Sequence, residues 1–131
     1  KGFYDYDEKR MPTPSPLTEQ LIAELAVRNG IVRRAIDDSE ILERLVYPMI
    51  NEGAKLLAEG VALRASDIDV VWLNGYGWPA ETGGPMYYAE NLGLAYIVNR
   101  LHRLSQRLGP PFEPAPLLVR LANSGAGFDS K

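Results

Sequence analysis

The stretch from Asp37 to Gly60 constrains the fold of this chain more than any other. Ile41, Leu42, Leu45, Val46, Met49, Ile50, Leu56 and Leu57 recur across it at helical spacing. So broad an apolar stripe needs other helices to cover it, which makes this the central helix of a helical fold. Asp37-Asp38-Ser39-Glu40 resembles a capping box at its start, with Asp37 as the cap and Glu40 at the third position. Gly60 ends it. Pro48 lies inside and is expected to kink the helix, because it offers no N–H to the carbonyl of Arg44 and its ring crowds that turn.

The other segments fit the same class. Residues 1–15 read as an extended lead-in, since Pro12, Pro14 and Pro16 at alternate positions exclude helix. Ser15-Pro16 opens a helix to about Asn29, with Leu17, Leu21, Ile22, Leu25 and Ala26 on one face and Gly30 as its stop. Ser66-Asp67-Ile68-Asp69 is a second cap pattern, followed by a short helix through Leu73. Asn74-Gly75-Tyr76-Gly77-Trp78-Pro79 then reads as a structured loop. Gly83-Gly84-Pro85 starts another short helix. Leu94, Ile97, Val98, Leu101, Leu104 and Leu108 mark the next, which stops at Gly109-Pro110-Pro111. A last helix over 115–123 turns Leu117, Leu118, Leu121 and Ala122 inward. No strand alternation is evident. The expectation is an all-α chain of about six helices, forming a single helical domain over 1–131 with 1–15 as its lead-in.

With 131 residues the chain suits one domain that needs no staples. It has no cysteine, so disulfides and thiolate metal sites are excluded. Its formal net charge of −3 gives no reason to expect nucleic acid or an anionic membrane as partner. No apolar run approaches the ~20 residues of a transmembrane helix. The chain opens at Lys1 without methionine, which suggests a piece of something longer. It ends Phe128-Asp129-Ser130-Lys131, which is not a peroxisomal Ser-Lys-Leu address.

Residues with chemistry are few. His102 is the one histidine and lies between helical arginines, so it reads as a surface or boundary residue, and no metal site is expected. Gly75 and Gly77 lack the third glycine of a dinucleotide loop, because position 80 is Ala80, and a helix rather than a strand precedes them. Gly125 and Gly127 fail the same test. No spacing among the acidic residues specifies a hydrolytic pair. The loop from Asn74 to Pro85 is the most unusual feature. Tyr76, Trp78, Tyr87 and Tyr88 crowd its glycines, as in a tightly packed turn or a ligand or partner surface. Trp78, Met86, Tyr87 and Pro48 form the candidate interface or packing set. No catalytic or cofactor-binding residue is assigned.

Several of these motifs together resemble one family. Glu43-Arg44-Leu45-Val46-Tyr47-Pro48-Met49-Ile50-Asn51-Glu52-Gly53-Ala54, Glu59-Gly60 and Ala65-Ser66-Asp67-Ile68-Asp69 are similar to the C-terminal helical domain of 3-hydroxyacyl-CoA dehydrogenases. Asn74-Gly75-Tyr76-Gly77-Trp78-Pro79 with Gly83-Gly84-Pro85-Met86 resembles, more specifically, the second such domain of multifunctional enzymes. Those enzymes join an enoyl-CoA hydratase/isomerase part to a dehydrogenase part. Gly2-Phe3-Tyr4-Asp5-Tyr6 resembles the linker ahead of it.

The resemblance implies a fold like the C-terminal domain of 6-phosphogluconate dehydrogenase, and a parent that oxidises a 3-hydroxyacyl-CoA with NAD in fatty-acid β-oxidation. The proton chemistry would belong to a Rossmann domain with no counterpart here. A helper asparagine of the first helical domain aligns with Glu43, which cannot supply an amide donor. The resemblance therefore implies a non-catalytic second copy, without cofactor of its own, inactive alone, bracing the dehydrogenase half by a pseudo-dimer contact. Its partners would be the Rossmann and first helical domains and, through the parent, the acyl-CoA substrate. Alone, the chain is expected to expose an apolar face that includes Trp78, Met86 and Tyr87, and to self-associate. The competing readings are a stand-alone acyl-CoA or protein binding module and a small hydrolase. Cytoplasm is the default compartment for a bacterial source, with the peroxisome left open.

Overall fold

The computed structural model describes residues 2–129; Lys1, Ser130 and Lys131, which belong to the lead-in and the terminal run noted above, lie outside them. The contacts cluster into two compact units, residues 1–36 and 37–131. The all-α class holds, with six α-helices among the described residues.

The first unit corrects one expectation. Its lead-in is a hairpin, with β1 (Tyr4–Tyr6) antiparallel to β2 (Pro12–Pro14). The prolines are tolerated because Tyr4 faces Pro14 and Tyr6 faces Pro12. The Ser15 amide donates to the Phe3 carbonyl and the Asp7 amide to the Met11 carbonyl. Hydrogen-bonded and non-hydrogen-bonded pairs alternate in such a ribbon, so Pro12 and Pro14 fall where no N–H is required. Asp7 Oδ1 accepts from the amides of Lys9 and Met11, which folds the turn. Helix α1 (Pro16–Arg28) follows. Of its expected inward face only Ala26 is buried; Leu17, Leu21, Ile22 and Leu25 are exposed.

The second unit packs five helices: α2 (Asp38–Ala58), α3 (Ala65–Gly75), α4 (Pro85–Leu92), α5 (Leu94–Leu108) and α6 (Pro116–Ser124). Asp37 caps α2 as expected, accepting the Glu40 amide at 2.8 Å. Ile50, Ile97, Leu101 and Leu118 are fully buried at the centre of a core built from α2, α4, α5 and α6. Ala65, Ile68 and Met86 form a smaller cluster between α3 and α4. Phe128 packs against both.

Helix α2 follows its stripe only in part: Ile50 is fully buried and Val46, Met49, Leu56 and Leu57 are half-buried, but the face turned inward is centred elsewhere. Glu43, Tyr47, Ile50, Asn51, Gly53 and Ala54 are inward. Ile41, Leu42 and Leu45 are 45%, 48% and 60% exposed. The inward polar residues have partners. Arg100 donates to Glu43 at 2.6 Å. Asn51 donates to the Glu113 carbonyl at 2.8 Å and accepts from the Ala115 amide at 2.7 Å, which pins the turn that leads into α6. A buried polar group with both capacities met is compatible with a core.

Candidate interface and packing site

Helix α3 opens two residues earlier than Ser66 suggested. Arg64 stands at its N-cap without a side-chain cap bond. Arg64 instead forks onto the Asp67 carboxylate, with Nη2 at 2.6 Å from Oδ1, and this holds the Asp67 carboxyl below the usual carboxylate range. The helix also runs through Asn74 and Gly75, past its expected end.

The loop beyond it closes by backbone bonds. Trp78 donates its amide to the Trp72 carbonyl at 3.2 Å, and Gly77 permits the turn with φ of 71°. The Trp78 ring stands edge-on to Trp72 and to Tyr88, each with centroids 6.0 Å apart. Trp72 also meets Tyr76 at 4.9 Å. Aromatic pairs favour such tilted and edge-to-face arrangements. A 3₁₀ turn at Ala80–Thr82 then leads through Gly83 and Gly84, both at positive φ, into α4.

The N-terminus of α4 is capped from a distance. Gly84 stands at its N-cap and has no side chain to offer. Asp69, on α3, supplies the acceptors: Oδ1 takes the Met86 amide at 2.7 Å and Oδ2 the Tyr87 amide at 3.1 Å. A carboxylate here satisfies two free amides and faces the positive end of the helix. Burial nevertheless pushes the Asp69 carboxyl above its ordinary value, against the opposing pull of those two amides. The approach is so close that a Cβ on Gly84 would collide with Asp69, and one on Gly83 with the Tyr87 ring. Met86 reaches inward to α2, where Gly53 leaves room for its thioether.

The four residues of the candidate set therefore have different places. Met86 is fully buried, which corrects its inclusion in an exposed face; helix α4 turns it toward Gly53 and Ile68. Trp78 and Pro48 are half-buried. Tyr87 is exposed. The open apolar surface lies elsewhere, on Ile41, Leu42 and Leu45 of α2 and around a groove of about 470 Å³. Leu56, Val61, Ile68, Val71, Trp72 and Tyr76 are among the residues lining that groove. The sequence reading missed the outward turn of the α2 leucines. The signal was present in Glu43, Tyr47, Asn51 and Ala54, which recur at the same helical spacing on another face.

Catalytic groups are sparse. His102 is exposed on α5. Glu43 is buried and engaged by Arg100. Among the described residues no group of His, Asp and Glu could hold a metal ion. No helix among them is long and apolar enough to cross a membrane. NAD binding in a Rossmann site needs parallel strands joined through a Gly-rich loop and helix. The strands among the described residues are one antiparallel pair, and Gly75 and Gly77 stand at and just beyond the end of a helix.

The model of the family "3-hydroxyacyl-CoA dehydrogenase, C-terminal domain" matches residues 41–128. The chain is 39% identical over 129 residues to the peroxisomal bifunctional enzyme of Homo sapiens, covering 95% of this chain and 18% of that protein. It is 39% identical over 130 residues to the peroxisomal bifunctional enzyme of Danio rerio, covering 96% and 18%. A glyoxysomal fatty acid beta-oxidation multifunctional protein of Cucumis sativus is 35% identical over 130 residues, with the same coverage. The chain thus spans 18% of the length of these relatives.

Proposed function

The chain belongs to the family of 3-hydroxyacyl-CoA dehydrogenase C-terminal domains, and from that premise we propose that it is the non-catalytic second helical domain of a multifunctional β-oxidation enzyme. The parent combines enoyl-CoA hydratase/isomerase and NAD-dependent 3-hydroxyacyl-CoA dehydrogenase activities. The chain braces the dehydrogenase half by docking on the first helical domain, as one half of a pseudo-dimer. Residues 1–131 act in it as one domain with its lead-in. The acyl-CoA and NAD are bound by the parent's other parts. The compartment follows the parent: peroxisomal or glyoxysomal for one of the relatives' kind, cytoplasmic for a bacterial one.

The observation that carries this reading is the outward apolar face of α2. Ile41, Leu42 and Leu45 are exposed on a helix whose opposite face already serves the core. Adjacent exposed aliphatics of this kind mark a surface that is covered in an assembly. Without the rest of the parent, two copies of the chain pair through that face about a two-fold axis. Burial contributes about 25 cal/mol per Å² before association costs, so pairing is weak. Sedimentation equilibrium over a wide concentration range tests this. Dimerisation that Leu42→Asp and Leu45→Asp abolish, with an unchanged melting midpoint, is the expected result. A chain that stays monomeric at high concentration removes the bracing role.

The second reading, an acyl-CoA or protein binding module, draws on the groove floored by Trp72 and Ile68. Saturable binding of a long-chain acyl-CoA that Trp72→Ala removes would favour it.

A further inference from the structure

We propose that the arginine-lined pocket between α2 and α5 is a binding site for a phosphoryl group. Arg100, Arg103 and Arg107 recur at helical spacing, so one face of α5 presents all three. With Glu40 of α2 they line a pocket of about 340 Å³, floored by the buried Leu104. That volume lies in the lower range of small-ligand pockets, about 300–1,000 Å³.

The charges there do not balance. Glu40 pairs with Arg44 and, at 3.6 Å, with Arg107. Glu43 pairs with Arg100. Arg103 makes no ion pair among the described residues. Four arginines against two glutamates leave two positive charges in excess, in a chain whose formal net charge is −3. Two donors are also left over: the Nε–H groups of Arg44 and Arg100 are buried without a partner. A phosphoryl dianion matches the surplus charge, and its oxygens suit guanidinium forks. A single carboxylate would neutralise only half of that surplus.

Pyrophosphate represents a free phosphoryl ligand and coenzyme A a carrier with phosphates. Titration calorimetry of the 131-residue chain with each, at low ionic strength, tests the site. The expected result is saturable binding that Arg103→Gln/Arg107→Gln weakens about tenfold or more, since each lost charge-assisted contact costs close to that factor. The melting midpoint should be unchanged in this variant, because both side chains are exposed. Arg120→Gln, an exposed arginine on α6, should bind as the parent chain does. Tighter binding of coenzyme A than of pyrophosphate assigns the site to the carrier's phosphates, and equal binding assigns it to a free phosphoryl ligand. No saturable binding of either, or equal weakening by Arg120→Gln, overturns the proposal. Only the coenzyme A arm rests on the proposed parent; the pyrophosphate arm can succeed or fail without it.

Discussion

Replacing Asp69 by alanine should destabilise the second unit by about 2–3 kcal/mol. The Met86 amide is buried, and its acceptor is Asp69 Oδ1 at 2.7 Å. Losing the acceptor of a buried donor costs about 1–3 kcal/mol. The Tyr87 bond is longer and less buried, and adds the lower part of the ~0.5–2 kcal/mol range for a lost helix cap. The two losses overlap, since both end the same capping, and relief of a buried charge offsets part of them. Asp69→Asn keeps an oxygen for Met86 but turns an amide donor toward the Tyr87 N–H, so it should cost about 1 kcal/mol. The pair also separates by pH. Burial raises the folded carboxyl pKa of Asp69, with Glu90 and Asp129 adding to the rise. The folded state then holds its proton more tightly than the unfolded chain. Its stabilising contribution is complete below the unfolded value of about 3.9 and is lost as pH rises through the folded value. The wild-type chain should therefore gain on Asp69→Asn as pH falls from neutral toward 4. Urea melts of the three proteins between pH 4 and 8 measure this. Equal midpoints for Asp69→Ala and wild type would refute the capping argument, and a gap between wild type and Asp69→Asn that narrows on acidification would refute the dominance of burial over the two amides.

Gly77→Val should cost about 1–2 kcal/mol, from its positive φ alone, because nothing lies within 4 Å of a Cβ there. Gly84→Ala should cost more, on the order of 3 kcal/mol, since strain is joined by collision with Asp69; thermal melts that reverse this order would discount the close approach. Asn51→Ala strands the buried Ala115 amide and should cost about 2–4 kcal/mol. Asn51→Asp should recover part of its loss in acid, when a protonated carboxyl can again donate to the Glu113 carbonyl; a loss independent of pH would contradict that geometry. The chain should neither bind NAD nor turn over a 3-hydroxyacyl-CoA. Micromolar NAD binding in a calorimeter, or NADH absorbance above a blank, would contradict the domain assignment.

Helix boundaries were legible where punctuation is strong. Asp37 with Glu40, Pro16, Gly60 and Gly109 each mark an end that the structure keeps to within a residue or two. The hairpin was not legible because the prolines that forbid helix also seem to forbid a ladder, and only the pairing register shows that they occupy free positions. Asp69 was misread for a related reason. Its place near the start of α3 resembles local capping, whereas its oxygens serve α4, seventeen and eighteen positions on. Sequence distance hides such a cap, and the bare Gly84 ahead of Pro85 is the one local sign that α4 needs an outside acceptor.

Helix α2 shows why the interface set was only partly legible. Periodicity finds an apolar face but not the body that covers it. Ile41, Leu42 and Leu45 follow the stripe and stay exposed, while Glu43 and Asn51 break it and are buried. The polar pair can go inward because Arg100 and the Glu113–Ala115 turn meet its hydrogen-bonding capacity. The leucines gain nothing from the local core. A helix with two buried faces, one served within the chain and one served by another body, would carry both patterns at once, as α2 does. Met86 is the converse case. It stands beside an exposed tyrosine in an aromatic loop, and nothing in that neighbourhood reveals that Gly53, thirty-three positions earlier, leaves the space its side chain enters. If Gly53 is kept for that purpose, Gly53→Ala should destabilise the chain although alanine is the better helix former, and Met86→Ala should relieve most of that cost in the double variant. Additive losses would mean that the two residues do not share the space.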